Sequence, residues 1–334
     1  MEPRKTKINI GLMGLGNIGT GTYKTLEMNG TEIERTTGLS FEITRILEKD
    51  LDRERDITVY PEQFTQNPDD IFDDPDIDVI VELLGGVEPA TSLMLSAMKK
   101  GKHVVTANKA AVAANYDELT SAADEAGVMF RFEASVGGGI PILNALTTVL
   151  RANRYEEIMG ILNGTTNYIL TKMAEEDLPY EDVLREAQEK GFAEADPSGD
   201  VNGGDVANKL SILMSLVFGK RVLPGDIPTK GITEITKEDI EEAAAEGCVI
   251  KLVASAWERD GEASCFIQPT LLNKDHPLAG VNNEFNAILV KGNAVDELMF
   301  YGKGAGPLPT GSAIMGDVIE IGRAIAKGAA WDIK

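Results

Sequence analysis

At 334 residues with 43% hydrophobic content the chain is long enough for two domains with real cores, and its formal net charge of −22 argues against nucleic acid and anionic membranes as partners. No apolar run approaches the ~18 residues of a membrane span, and MEPRKTKINIG passes straight into a strand without a signal-peptide pattern. Two cysteines outside any CxxC spacing and two histidines, His103 at a strand start and His276 in a KDHP turn, point to a reduced cytoplasmic protein whose protons are handled by lysines and carboxylates.

In chain order, residues 7–13 (KINIGLM) read as a buried strand and residues 20 to about 28 as a helix. Between them stands Gly14-Leu-Gly16-Asn17-Ile18-Gly19. Strand–GxGxxG–helix is a dinucleotide fingerprint rather than a merely tight turn. Gly14 permits the turn, Gly16 lets the backbone approach a pyrophosphate, and Gly19 lets the helix pack close to the sheet. The pyrophosphate then lies on the free N–H groups of the helix N-terminus, with Asn17 and Ile18 of the motif also candidate cofactor contacts. After a second strand at 41–47, Glu48 suits a ribose 2′-OH, as in NAD sites. Lys49, Arg53 and Arg55 suit the 2′-phosphate of NADP. The residues point both ways, with a lean to NADP.

Strands at 76–84, 103–107 and 128–134 alternate with helices at 89–100 and 117–126. That alternation predicts an α/β domain of the Rossmann type, a doubly wound parallel sheet. Ligands in such sheets sit outside the carboxyl ends of strands, where Gly85 and Lys109 fall. Lys109, followed by the apolar AAVAA, is therefore a candidate site lysine rather than a solvent-facing one. In Glu133-Ala-Ser-Val136-Gly-Gly138-Gly-Ile140-Pro, turned carbonyls beside a carboxylate have the chemistry of a hard-cation site. The residues alone favour a hinge between domains.

The remainder is mixed α+β. A strand at 158–162 leads to Asn163-Gly-Thr-Thr-Asn167, which caps a helix to about 175, and a second helix spans 179–190. The stretch 191–209, GFAEADPSGDVNGGDVANK, is too broken by Gly, Pro, Asn and Asp to be regular until a helix begins near Gly203 or Gly204. It carries Glu194, Asp196, Asp200, Asp205 and Lys209. Asp205 and Lys209 lie one turn apart on one face. Two readings stand: a cationic, hydroxylated substrate held beside a proton carrier, or a surface loop before an ordinary i, i+4 ion pair. An acidic helix at 237–246, strands at 249–256, 263–271, 287–290 and 294–301, a glycine-rich loop at 302–311 and a helix at 312–327 complete the chain.

Taken together, GLMGLGNIG (11–19), VVTANKA (104–110), FEASVGGGIPIL (132–143), GILNGTTNYILTKM (160–173), GFAEADPSGDVNGGDVANK (191–209), QPTLL (268–272), NEFNAI (283–288) and FYGKGAGPLPTG (300–311) resemble homoserine dehydrogenases over nearly the whole chain. The NGTTNYIL and GFAEADP…DVANK blocks are close to unique to that family; the first motif is shared by many oxidoreductases. The resemblance implies NAD or NADP on a domain of residues 1–138, completed by a C-terminal helix within 305–334. It implies L-homoserine in a substrate-binding and dimerisation domain at 139–304, and a homodimer paired through that domain's sheet. Homoserine and L-aspartate 4-semialdehyde would be interconverted by hydride transfer. By the same resemblance Lys209 is the proton donor, Lys109 a second catalytic lysine that also meets the cofactor, and Asp205 the partner of Lys209. Glu194 and Asp205 would hold the substrate, with the Gly191 backbone and Asp200 lining the pocket and Gly306 closing over the cofactor. The hinge becomes a site for a monovalent cation, sodium above all, on Glu133 and the carbonyls of Val136, Gly138 and Ile140.

Two features depart from the family's pattern. Glu48 replaces an apolar residue before the expected Lys or Arg. Only 23 residues follow Gly311, too few for the ACT regulatory domain of many members, so threonine inhibition through such a domain is not expected. The residue types fit the chemistry independently. An aldehyde being reduced needs a hydride and a proton, an ammonium supplies charge and proton together, and carboxylates suit an α-ammonium. The competing class is a Rossmann-type NAD(P)H-binding sensor without turnover, whose expected apolar or basic partner-binding tail the sequence lacks.

Overall fold

Ile8, Ile10 and Leu12 of β1 (Lys7–Met13) are fully buried, and so are the residues between them from Ile10 on, the mark of a parallel strand covered on both faces. The structure, a computed structural model describing residues 5–328, surrounds β1 with β2 (Ser40–Leu47), β3 (Phe64–Thr65), β4 (Val79–Glu82), β5 (His103–Thr106) and β6 (Phe130–Arg131). All pairings are parallel, in the order β3-β2-β1-β4-β5-β6. The order reverses between β1 and β4, which opens a crevice at their carboxyl ends. The helices of this part are α1 (Asn17–Thr37), α2 (Asp69–Phe72), α3 (Ala90–Lys99) and α4 (Lys109–Ala126).

From Ile140 to Ala305 the chain forms a second compact unit. It holds α5 (Ile142–Asn144), which runs into a π-helical turn at Ala145–Val149, then β7 (Tyr155–Ile161), α6 (Gly164–Glu176), α7 (Tyr180–Glu189), α8 (Ser198–Val201), α9 (Gly204–Phe218) and α10 (Lys237–Ala245). The strands β8 (Cys248–Arg259), β9 (Glu262–Asn273), β10 (Phe285–Gly292) and β11 (Asp296–Lys303) join β7 in an antiparallel sheet of order β11-β10-β7-β8-β9. Its core gathers Ile161, Val253, Leu272, Leu278 and Ala287. The predicted α/β sheet plus α+β unit is what the chain forms.

The last helix, α11 (Pro307–Lys327), belongs with the first unit. Ile314, Val318 and Ile321 pack with Ile8, Ile10, Leu12, Val79, Val81 and Val105, while on the other face of β1 a side chain at Gly11 would meet Ile71 of α2. Gly21 of α1 and Gly311 of α11 allow these helices to touch backbone to backbone. A Cβ at Gly21 would lie 2.3 Å from the Pro307 carbonyl oxygen, and one at Gly311 2.8 Å from that of Gly21.

Several boundaries differ from the sequence reading. α1 continues past residue 28 to Thr37, where Gly38 (φ 72°) stops it; Gly30 is tolerated inside at ~1 kcal/mol. α4 begins at Lys109 rather than 117, so AAVAA is helical and the break is only a kink at Asn115. The strand expected at 128–134 shrinks to β6, followed by a 3-10 turn at Glu133–Ser135. The stretch before Gly204 contains one helical turn, α8. α11 starts at Pro307, a proline in its first turn, which cuts the predicted glycine-rich loop short. No helix among the described residues is long and apolar enough to cross a membrane.

Candidate active site

The turn after β1 has the three glycine environments that a dinucleotide loop needs. Gly14 is in a positive-φ conformation (96°), and a Cβ there would press on the Leu83 carbonyl oxygen at 2.8 Å. Gly16 faces open space, with nothing within 4 Å of where a side chain would start. A Cβ on Gly19 would lie 2.2 Å from the Gly14 oxygen, so the helix sits as close to the strand as backbone allows. Asn17, Ile18 and Gly19 form the first turn of α1, which has no acidic residue and no side-chain cap, leaving it suited to an anion.

Glu48 turns its carboxylate onto the backbone around it. Its Oε2 accepts the Leu15 N–H at 2.8 Å, and its Oε1 accepts those of Lys49 (2.8 Å) and Asp50 (3.0 Å). Burial works to raise its pKa, but these backbone N–H groups and Arg55 prevail and hold it below the usual glutamate value. Arg55 is spent the same way, donating to the carbonyls of Leu15, Arg53 and Asp50. Arg53 lies exposed with its guanidinium 2.9 Å from Asn17 Oδ1, and Lys49, four positions earlier, is exposed as well.

At the ends of β4 and β5 a polar chain fixes the next turn. Fully buried Glu82 accepts the Leu84 N–H at 2.7 Å and the Thr106 hydroxyl at 2.6 Å. Thr106 Oγ1 in turn accepts the Asn108 N–H at 2.9 Å, and Asn108 Nδ2 donates to the Gly86 carbonyl at 2.7 Å. Burial pushes the Glu82 carboxyl up against these donors. Gly85 (φ 77°) stands in the turn so held, and Lys109 is the first residue of α4, directly after its Asn108 cap. Sequence reading named Gly85 and Lys109 but missed Glu82 and Asn108; a carboxylate closing an apolar strand and an Asn before a helix were the available signals.

Glu133 is buried, and its N–H donates to Asp317 Oδ2 of α11 at 2.9 Å. Burial, with Glu133 and Glu320 nearby, drives the Asp317 carboxyl well above the ordinary range. Val136 follows the 3-10 turn, and Gly137 (φ 74°) and Gly138 (φ 55°) both take the left-handed conformation that turns carbonyls aside. Ile140, the fourth residue of the predicted set, opens the second unit.

In the second unit the acidic stretch and the lysine are drawn together. Lys209, on α9, is 7% exposed and donates through Nζ to the Leu162 carbonyl at 2.6 Å and to Asp205 Oδ2 at 2.7 Å. Asn163, which caps α6, donates to both Asp200 Oδ1 (2.8 Å) and Asp205 Oδ2 (2.9 Å). The Thr165 hydroxyl lies 2.7 Å from the Phe192 carbonyl oxygen and 3.0 Å from Asp200 Oδ2. Gly191 (φ 76°) and Glu194 are on the exposed loop tethered through Phe192, and the Glu194 carbonyl accepts from Gln188 at 3.1 Å. Asp196 is outside the cluster and caps the chain at Ser198. The ordinary surface ion pair of the second reading does not describe a pair this buried, with a carbonyl as third member. The NGTT pattern announces a helix cap but not the contacts of Asn163 and Thr165 with Asp200 and Asp205.

A homoserine dehydrogenase family model matches residues 141–319, and one for the homoserine dehydrogenase NAD binding domain matches residues 14–133. The chain is 45% identical over 314 residues to the homoserine dehydrogenase of Bacillus subtilis (strain 168), covering 94% of this chain and 72% of that protein. The crystal structure of a homoserine dehydrogenase from Thiobacillus denitrificans superposes with a TM-score of 0.90 at 42% identity, over 96% of this chain and 74% of that one. A hyperthermophilic archaeal homoserine dehydrogenase in complex with NADPH is similar with a TM-score of 0.76 at 25% identity, over 94% of this chain and 97% of that one.

Proposed function

The chain belongs to the homoserine dehydrogenase family, and from that membership we propose that it is an NAD(P)-dependent oxidoreductase interconverting L-homoserine and L-aspartate 4-semialdehyde. The observation that carries the assignment of roles is the buried Lys209 ammonium, held between the Leu162 carbonyl and Asp205 beside an acidic loop. A bound nicotinamide supplies or takes up the hydride at the substrate's terminal carbon. Lys209 gives a proton to the alkoxide oxygen as the aldehyde is reduced, and Asp205 keeps that ammonium aimed. Asp205, Asp200 and Glu194 offer carboxylate oxygens to the substrate's α-ammonium, with the Gly191 backbone alongside. Lys109, at the start of α4, serves as the second catalytic lysine.

The loop Gly14–Gly19 fits a dinucleotide because it combines an open Gly16 with an uncapped helix start. Gly85 and Gly306 complete the cofactor contacts in this reading. NADP is the preferred cofactor: Glu48 and Arg55 are consumed by the loop's own backbone, which leaves Lys49 and Arg53 exposed to take a 2′-phosphate. A sodium-like cation is assigned to Glu133 and the carbonyls of Val136, Gly138 and Ile140, supported by the positive φ at Gly137 and Gly138. A homodimer is assigned as well, supported by exposed apolar side chains on the sheet's outer strands, Leu271 on β9 and Met299 and Tyr301 on β11.

The test is initial rate of L-homoserine oxidation with NAD+ and with NADP+, and of semialdehyde reduction with each reduced cofactor. Turnover that is faster at low NADP+ than at equal NAD+ is expected. A sample that binds cofactor yet turns over neither substrate would establish the sensor instead.

A further inference from the structure

The Asn163 side chain is fixed in orientation by its own helix. Its Oδ1 accepts the Thr166 N–H at 2.8 Å and the Thr166 hydroxyl at 3.0 Å, so the oxygen belongs to the cap and the NH2 faces away from it. That NH2 gives one hydrogen to Asp200 on α8, at 2.8 Å, and the other to Asp205 on α9, at 2.9 Å. The same Asp205 oxygen accepts from Lys209 at 2.7 Å. Two carboxylates from different elements are thus gathered on one neutral nitrogen, and of the two Asp205 also meets the Lys209 ammonium.

Something must hold them there. The Thr165 hydroxyl has one proton and two acceptors in reach, the Phe192 carbonyl and Asp200, so it can bind Asp200 only by releasing the substrate loop. Asn163 has two protons and no such conflict. Resting on the dehydrogenase reading above, we propose that Asn163 is a positioning residue for turnover: it ties Asp200 to Asp205, keeps Asp205 against Lys209, and does so beyond its service as a helix cap.

Cap and tie separate by substitution. Serine and aspartate cap a helix about as well as asparagine, but serine lacks the amide and aspartate replaces both donors by acceptors. Asn163→Ser is expected to keep the helix, with Tm lowered by only ~2–4 °C, and to lose roughly 10- to 100-fold in kcat for homoserine oxidation, the fold-change of a hydrogen bond to a charged group. Asn163→Asp would set a third carboxylate beside Asp200 and Asp205 and lower Tm and kcat together. Asn163→Ala should lose comparable activity and Tm as well. A residue that only caps predicts activity that follows Tm; a Ser variant within about threefold of wild-type kcat, the scatter of neutral substitutions, would overturn the proposal. Wild type is assayed alongside, and its failure to turn over homoserine would remove the dehydrogenase reading alone. The crystal structure of Asn163→Ser then decides the inference without turnover. Asp200 and Asp205 displaced from their present places support it; Asp205 still hydrogen-bonded to Lys209 with Asp200 unmoved overturns it.

Discussion

Lys209 and Glu194 differ in surroundings, and the difference predicts different kinetics. Lys209 is buried against a carbonyl and a carboxylate, whereas Glu194 is exposed on its loop. A proton donor acts in the transition state, so Lys209→Ala should lower kcat by ~10²–10⁴ with a smaller change in KM. Lys209→Arg should not restore it, because a guanidinium does not release its proton at working pH. Glu194→Ala should mainly raise KM. If Lys209→Ala keeps more than about a tenth of wild-type kcat, the proton donor is elsewhere and Lys109 is the next candidate. A second buried lysine should act on stability instead. Lys251 on β8 donates to the Val281 carbonyl (2.7 Å), Asn282 Oδ1 (3.0 Å) and Asn167 Oδ1 (3.2 Å), and burial lowers its pKa to about 8 from 10.5, against a raising influence of Glu175. Below pH 8 the folded and unfolded chains both carry the proton, and the native state bears the cost of the buried charge. Between about 8 and 10.5 the native state releases it first, the unfolded state binds more protons, and stability rises with pH. The unfolding free energy of wild type relative to Lys251→Met should therefore grow by up to ~3 kcal/mol over that window. Urea melts at pH 7.5, 9 and 10 measure it, and a flat difference would show that Lys251 stays charged throughout.

At the scale of elements, the same glycine motif contains one residue that serves packing and one that serves binding. A methyl group on Gly19 would be driven into the Gly14 carbonyl, which is backbone and cannot swing away; one on Gly16 would meet nothing. Gly19→Ala should cost ~1–3 kcal/mol of stability as overpacking and weaken cofactor binding with it. Gly16→Ala should leave the Tm of the cofactor-free protein unchanged and still raise the Kd for NADPH, since it fills the space a pyrophosphate would take. Fluorescence titration with NADPH and thermal melts separate the two, and wild-type affinity in Gly16→Ala would remove the pyrophosphate from that position. This loop was legible because its glycines are spaced by a function that backbone geometry dictates. Helix ends were less so. Gly30 resembles a stop but lies inside α1, because one glycine costs little in a helix packed along its length against α11. The Gly306–Gly311 run looks like loop, yet Pro307 starts a helix whose glycine is needed for contact with α1. In the site, Asp205 and Lys209 could be paired by helical spacing alone. Asn163 could not be joined to them, because that contact bridges residues 37 and 42 positions apart and depends on how the sheet delivers α6. Glu48 could not be placed from sequence for a related reason: its partners are backbone N–H groups, one of them on the neighbouring turn at Leu15, which no side-chain pattern announces.

For the whole molecule, a formal charge of −22 on 334 residues makes folding work against self-repulsion at low ionic strength. Added salt shortens the screening length from ~30 Å at 0.01 M to ~8 Å at 0.15 M, so Tm should rise with any monovalent salt over this range. Screening depends on ionic strength and is nearly blind to which cation supplies it. A site built from one buried carboxylate and turned carbonyls is not blind: it admits a small bare cation and excludes a bulky organic one. Melts in NaCl and in choline chloride at equal ionic strength therefore separate the two effects. The common rise measures repulsion across the surface. An additional rise in NaCl that saturates with concentration, as mass action requires of a ligand that binds only the folded chain, measures occupancy of the loop at 133–140. Glu133→Gln should abolish the additional rise and leave the common one intact. If sodium and choline give the same curve in the wild-type protein, the loop holds no cation and its glycines serve as a hinge.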